Sequence, residues 1–189
     1  MIRIALVGGI GSGKTFISKL FGYPVFSADN SVSKIYSKNK KVFLKLKKKI
    51  PNFFKNFPIK KEELIRAIIK DKDNIKKISA IVHPEVRKDL FKFIKKNNRK
   101  KAVVLDIPLF LENKLNKKED IIIFIQSPNK ETLKRVKQRK NFNKLILQKL
   151  TKLQLPLKFK KKNSQYVIKN KFKKDLARKS VKNILDKIL

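Results

Sequence analysis

Four of the five glycines in this 189-residue chain, Gly8, Gly9, Gly11 and Gly13, crowd together just ahead of Lys14-Thr15. No other feature constrains the fold as much. Flexibility is concentrated at one place, and the wording Gly8-Gly9-Ile10-Gly11-Ser12-Gly13-Lys14-Thr15 matches the phosphate-binding P-loop pattern of a Gly, four residues, then Gly-Lys-Thr. Its flanks match as well. Ile2-Arg3-Ile4-Ala5-Leu6-Val7 reads as a buried strand, and Phe16, Ile17, Leu20 and Phe21 recur at helical spacing after the loop. Strand, glycine loop and helix is the order such a loop needs.

The chemistry follows from the residue types. Glycine has no Cβ, so the chain can curl through positive φ and turn successive N–H groups inward. A helix opening near Gly13 adds unpaired N–H donors and the positive end of its dipole. Together, Gly9, Ile10, Gly11, Ser12, Gly13, Lys14, Thr15 and Phe16 are expected to bind the nucleotide. Lys14 is expected between the β- and γ-phosphates, and Thr15 as a Mg²⁺ ligand.

Downstream, Val25-Phe26 reads as a short second strand ending at Ser27-Ala28-Asp29. Residues from about 30 to 98 turn helical, with Leu64, Ile65, Ile68 and Ile69, then Ile75, Ile78, Ile81 and Val82, then Val86, Leu90, Phe93 and Ile94 lining faces. That stretch exceeds a simple crossover and reads as a substrate-covering insertion. Ala102-Val103-Val104-Leu105 and Ile121-Ile122-Ile123-Phe124-Ile125 are apolar throughout, as strands buried on both faces of a parallel sheet must be. A helix is expected over residues 130–139, a last strand at Tyr166-Val167-Ile168, and a closing helix over 173–188 burying Leu176, Val181, Ile184, Leu185 and Ile188. The expected fold is a three-layer α/β domain of the P-loop NTPase type, with a parallel sheet of about five strands.

Composition narrows the field. No apolar run is long enough for a membrane span, which needs ~18 residues or more. Cysteine is absent, which excludes disulfides and thiolate metal sites. The chain opens on its core strand without a signal-like segment, and a cytoplasmic monomer is expected. Its 51 basic and 14 acidic residues give a net charge of +37. Most of the basic residues are lysines spread along the chain among Asn, Ile and Phe, a pattern of drift toward AT-rich codons. Non-specific, salt-sensitive RNA adhesion is expected at this charge, but no specific nucleic-acid site.

Ligands of such sheets bind beyond the carboxyl ends of the strands. Asp29 falls there and reads equally as a group that orients or deprotonates an attacking hydroxyl and as a helix N-cap. Asp106 reads as a Walker B carboxylate assisting Mg²⁺ or as a strand-end turn residue. Arg135 and Arg139, four apart on the expected helix, are positioned to stabilise a transferring phosphoryl group or simply face solvent. His83, the only histidine, precedes Pro84 and reads first as a packing or capping residue.

These landmarks in this order resemble the dephospho-coenzyme A kinase family over nearly the whole chain. The resemblance rests on the Gly8–Thr15 wording, Asp29, His83-Pro84, Pro108-Leu109-Phe110-Leu111-Glu112-Asn113, Lys134-Arg135 with Gln138-Arg139, Gln154, and Tyr166-Val167-Ile168 with Asn170. It implies ATP- and Mg²⁺-dependent phosphorylation of the ribose 3′-hydroxyl of dephospho-coenzyme A, the last step of coenzyme A biosynthesis. It also implies a nucleotide-binding core over residues 1–28 and 99–189, a helical insertion over about 29–98 and a lid over about 136–160. Carried onto this chain, Asp29 becomes the base, Arg139 a lid arginine near ATP, and Asn170 a neighbour of the adenine. His83, Pro108 and Leu109 fall with Asp29 on the acceptor side. The chain departs from the family where Ser27 replaces an aspartate and where Asn163-Ser164-Gln165 and Lys169 replace expected acids. Two other readings compete: a P-loop kinase for another nucleoside or metabolite, and a basic RNA-binding protein with a vestigial loop.

Overall fold

A computed structural model describes residues 1–139 and 142–189. The chain divides into two compact units: residues 1–27, 96–142 and 150–189 form the first, and residues 28–95 and 143–149 the second. Residues 143–149, expected in the lid of the core span, therefore group with the helical insertion.

The first unit is built on a parallel sheet. Among the described residues, β1 (Ile2–Gly8), β2 (Val25–Ser27), β3 (Ala102–Asp106), β4 (Ile121–Gln126) and β5 (Tyr166–Lys169) lie in the order β2-β3-β1-β4-β5. Parallel strands need crossovers, and helices supply them, so central strands lose water on both faces. Every residue of β3 is buried, as are residues 4–8 of β1. Ile4, Leu6, Val104, Ile123, Ile125 and Ile168 pack with Ile17 and Phe21 of α1 (Lys14–Leu20, with Phe21 capping it).

The closing helix, here α9 (Lys174–Ile188), adds Val181 and Ile184 to that core, with Leu185 and Ile188 beside them. Leu176 is a correction: it was expected inside and is 45% exposed. At ~100° per residue it lies about 140° around the helix from Val181, off the Ala177–Val181–Ile184 stripe. Phe16 is likewise exposed, one position to the side of Ile17.

The second unit carries its own core. In chain order its helices are α2 (Ala28–Lys38), α3 (Lys40–Lys49), α4 (Lys61–Lys70) and α5 (Asp73–Lys96). Asn39 caps α3 by accepting from the Val42 N–H, and the buried Glu63 turns back to accept from Lys60 N–H at the start of α4. Ile35, Phe43, Leu46, Phe54, Leu64, Ala67, Ile78 and Val82 interlock as one cluster. Ile68 packs against this cluster, whereas Ile69 at the end of α4 turns outward. Residues 143–149, most of them in α7 (Lys144–Lys152), join the unit through Lys149, whose Nζ donates to the Ile68 and Ile69 carbonyls at 2.6 and 3.1 Å. A cation there satisfies the negative end of α4.

Candidate active site

The carboxyl edge of the sheet collects several expected residues in the first unit. Gly8 at the end of β1 pairs with Ile125 of β4, Ser27 of β2 with Asp106 of β3, and Gln126 of β4 with Lys169 of β5. The glycine loop leaves β1 at this edge and feeds α1 through Gly13, which caps the helix at φ 91°. That left-handed position favours glycine, and a Cβ there would collide with the Asn170 amide nitrogen. Gly11, at φ 81°, is pressed just as closely by Val136 of α6 (Asn129–Lys137).

Lys14 is buried and folds over the loop, its Nζ donating to the Gly8 and Gly9 carbonyls at 3.1 and 2.8 Å. Its charge is thus held within the loop. Thr15 Oγ1 donates to Asp106 Oδ2 at 2.6 Å, which joins the two residues expected to serve Mg²⁺. Asp106 is 4% exposed. A hydroxyl and a carboxylate oxygen in contact suit a hard cation that takes its remaining ligands from water and phosphate. Among the described residues no three His, Cys, Asp or Glu side chains converge on a metal position, so an all-protein cage is not built here.

Asn170, just past β5, is 2% exposed, and its Nδ2 donates to the Ser12 carbonyl at 2.8 Å. The Phe172 N–H donates to Asn170 Oδ1, and the Arg135 guanidinium stands 4.6 Å above the Phe172 ring, within cation–π range. Arg139 is exposed and lies beyond the end of α6. The helix expected to carry both arginines on one face stops at Lys137, with Gln138 as its cap.

Pro108 and Leu109 follow β3 in a run of turns and are half-buried. Farther along the same run, Glu112 meets Lys160 of α8 (Leu157–Lys162) as a buried ion pair at 2.6 Å, without a well-aligned hydrogen bond. Glu112 also accepts from the Leu155 N–H. Lys160 carries no distinguishing mark in the sequence, being one of several lysines in its run. Phe172 was equally hidden, although Asn170 two residues ahead is the residue type that closes such a turn.

In the second unit, Asp29 occupies the first turn of α2 and is exposed. Its neighbour Ser31 is buried and donates to Asp89 Oδ2 at 2.6 Å, tying α2 to α5. His83 sits within α5 ahead of Pro84, half-buried. Burial lowers its proton affinity, and the Arg87 charge lowers it further.

A parallel sheet in this order, with a glycine loop and basic helix start at its carboxyl edge, defines a P-loop α/β protein. The family described as dephospho-CoA kinase matches residues 2–175. A dephospho-CoA kinase from Wolbachia sp. subsp. Brugia malayi is 34% identical over 98% of this chain and 97% of its own. A crystal structure of a Thermus thermophilus protein superposes with a TM-score of 0.78 at 26% identity, covering 100% of this chain and 98% of that one. A dephospho-CoA kinase from Campylobacter jejuni superposes with a TM-score of 0.64 at 24% identity over 98% and 96% of the two chains. The chain belongs to the dephospho-CoA kinase family. It is accordingly a kinase with ATP as co-substrate and a role in coenzyme A biosynthesis.

Proposed function

We propose that this protein transfers the γ-phosphoryl group of ATP to the ribose 3′-hydroxyl of dephospho-coenzyme A, giving coenzyme A and ADP. The observation that carries the reading is the loop itself: a buried Lys14 folded across Gly8 and Gly9, with Thr15 bonded to Asp106. Lys14 and the loop N–H groups grip the β- and γ-phosphates and offset charge on the transferring group. Thr15 and Asp106 hold Mg²⁺, which neutralises phosphate charge when bound. Arg135 and Arg139 contribute further cationic charge on the nucleotide side. His83, Pro108 and Leu109 contribute to the acceptor side.

Asp29 is the proposed base, supported by the family likeness and by its exposed carboxylate in the first turn of α2. The O–P bond forms as the ribose hydroxyl gives its proton to the Asp29 carboxylate, and the bond to the β-phosphate bridging oxygen breaks, leaving ADP. Most of the acceleration comes from alignment and charge neutralisation.

Incubation with MgATP and dephospho-coenzyme A, followed by separation of products, tests the reading. Formation of coenzyme A in step with ADP is expected, with turnover abolished in Lys14→Ala. Asp29→Asn is expected to lower kcat by ~10²-fold or more while leaving ATP affinity nearly unchanged. Absence of coenzyme A alongside phosphorylation of a different acceptor would overturn the substrate assignment.

A further inference from the structure

We propose that Asn170 is a positioning residue for the phosphate loop rather than a direct contact of the nucleotide base. The inference rests on the loop's role as a triphosphate cradle. Asn170 spends its polar groups on three separate segments. Its backbone N–H donates to the Gln126 carbonyl at 2.7 Å, its Nδ2 to the Ser12 carbonyl at 2.8 Å, and its Oδ1 accepts from the Phe172 N–H at 2.9 Å. One residue thereby links the end of β4, the phosphate loop and the turn that follows β5.

Three observations place the weight on the loop. Asn170 is 2% exposed, so it offers almost no surface to a ligand. Its amide nitrogen lies where a Cβ at Gly13 would fall, so the loop backbone approaches it too closely for any other residue at 13. Ser12, whose carbonyl it holds, is itself buried and stands between Gly11 and Gly13, both at positive φ. A stretch with glycine on each side has little stiffness of its own, and a fixed amide on its carbonyl supplies it. The other end of the brace holds Phe172 at φ 58°, a conformation that bulky side chains rarely adopt. Arg135 stacks on that ring. Asn170 therefore connects the Arg135–Phe172 stack to the phosphate cradle without meeting the ligand at either end.

A brace and a base contact make opposite predictions for a ligand that has phosphates and no base. Affinities of MgATP and of inorganic tripolyphosphate would be measured by calorimetry for the wild type, Asn170→Ala and the shape-conserving Asn170→Leu, with melting temperatures as a check on folding. The brace predicts that both ligands weaken by a similar factor, about tenfold for one lost buried hydrogen bond. Loss confined to ATP would overturn the proposal in favour of a base contact, and unchanged affinity for both would overturn it outright. A wild-type protein that binds neither ligand would overturn the cradle reading and this inference with it. Should the variants fail to fold, the Asn170 side-chain amide resonance of the wild type decides the matter. It is expected to shift on adding tripolyphosphate and not on adding adenosine, and the reverse pattern would overturn the brace.

Discussion

At the scale of single residues, environment rather than identity decides what each group contributes. Asp106 and Glu112 are both carboxylates, one ending β3 and the other in the turns that follow it, yet one meets the Thr15 hydroxyl and the other a buried ammonium. His83 shows how such an environment becomes measurable. Half-burial and the Arg87 charge hold its proton affinity below the ordinary imidazole value of 6.5. As pH falls below 6.5 the unfolded chain is protonated first, so stability is lost with acid through that window. The loss levels off once the folded imidazole is also protonated. His83→Gln removes the titrating group. Thermal midpoints followed from about pH 7 down to about 5 are expected to fall less for the variant than for the wild type. Parallel curves would show that His83 is equally free to ionise in both states.

At the scale of elements, the buried Lys160–Glu112 pair joins α8 to the turns after β3, and Glu112 further holds Leu155 ahead of that helix. Charges this deeply buried are costly to leave alone, although a pair of them adds little over well-packed apolar residues. The two single variants and the double variant therefore separate charge from packing. Lys160→Met, which strands the carboxylate, is expected to lower stability by ~3–5 kcal/mol, read as a drop of roughly 10 °C in the thermal midpoint. Glu112→Leu, which strands the ammonium, is expected to cost a similar amount. The double variant is expected to recover most of the loss, and equal destabilisation in all three would assign the contribution to shape instead. Nothing in the sequence distinguishes Lys160 from Lys158, Lys161 or Lys162, because a long lysine run conceals the one member whose ammonium turns inward.

At the scale of the whole molecule, the legible features were those whose physics is local. Strands β1, β3 and β4 declare themselves as apolar runs because both their faces lose water, and the phosphate loop declares itself because its glycines are adjacent in sequence. The order β2-β3-β1-β4-β5, the meeting of Thr15 with Asp106 and the Asn170 link to Ser12 join segments far apart in the chain, and no periodicity encodes them. Charge is the one global property written entirely in composition. A net +37 on 189 residues repels itself in the compact state, and the described ion pairs, such as Lys88–Glu85 and Lys76–Asp73, offset only a small part of it. Salt shortens the range of that repulsion, from a Debye length of ~30 Å at 0.01 M to ~8 Å at 0.15 M. The thermal midpoint is therefore expected to rise across this interval, by several degrees if screening recovers ~1–2 kcal/mol. Sodium chloride and sodium fluoride at equal ionic strength should raise it alike if screening is the cause. A midpoint that stays flat or falls with salt would show that the lysines are spaced widely enough for their mutual repulsion to be spent already in water.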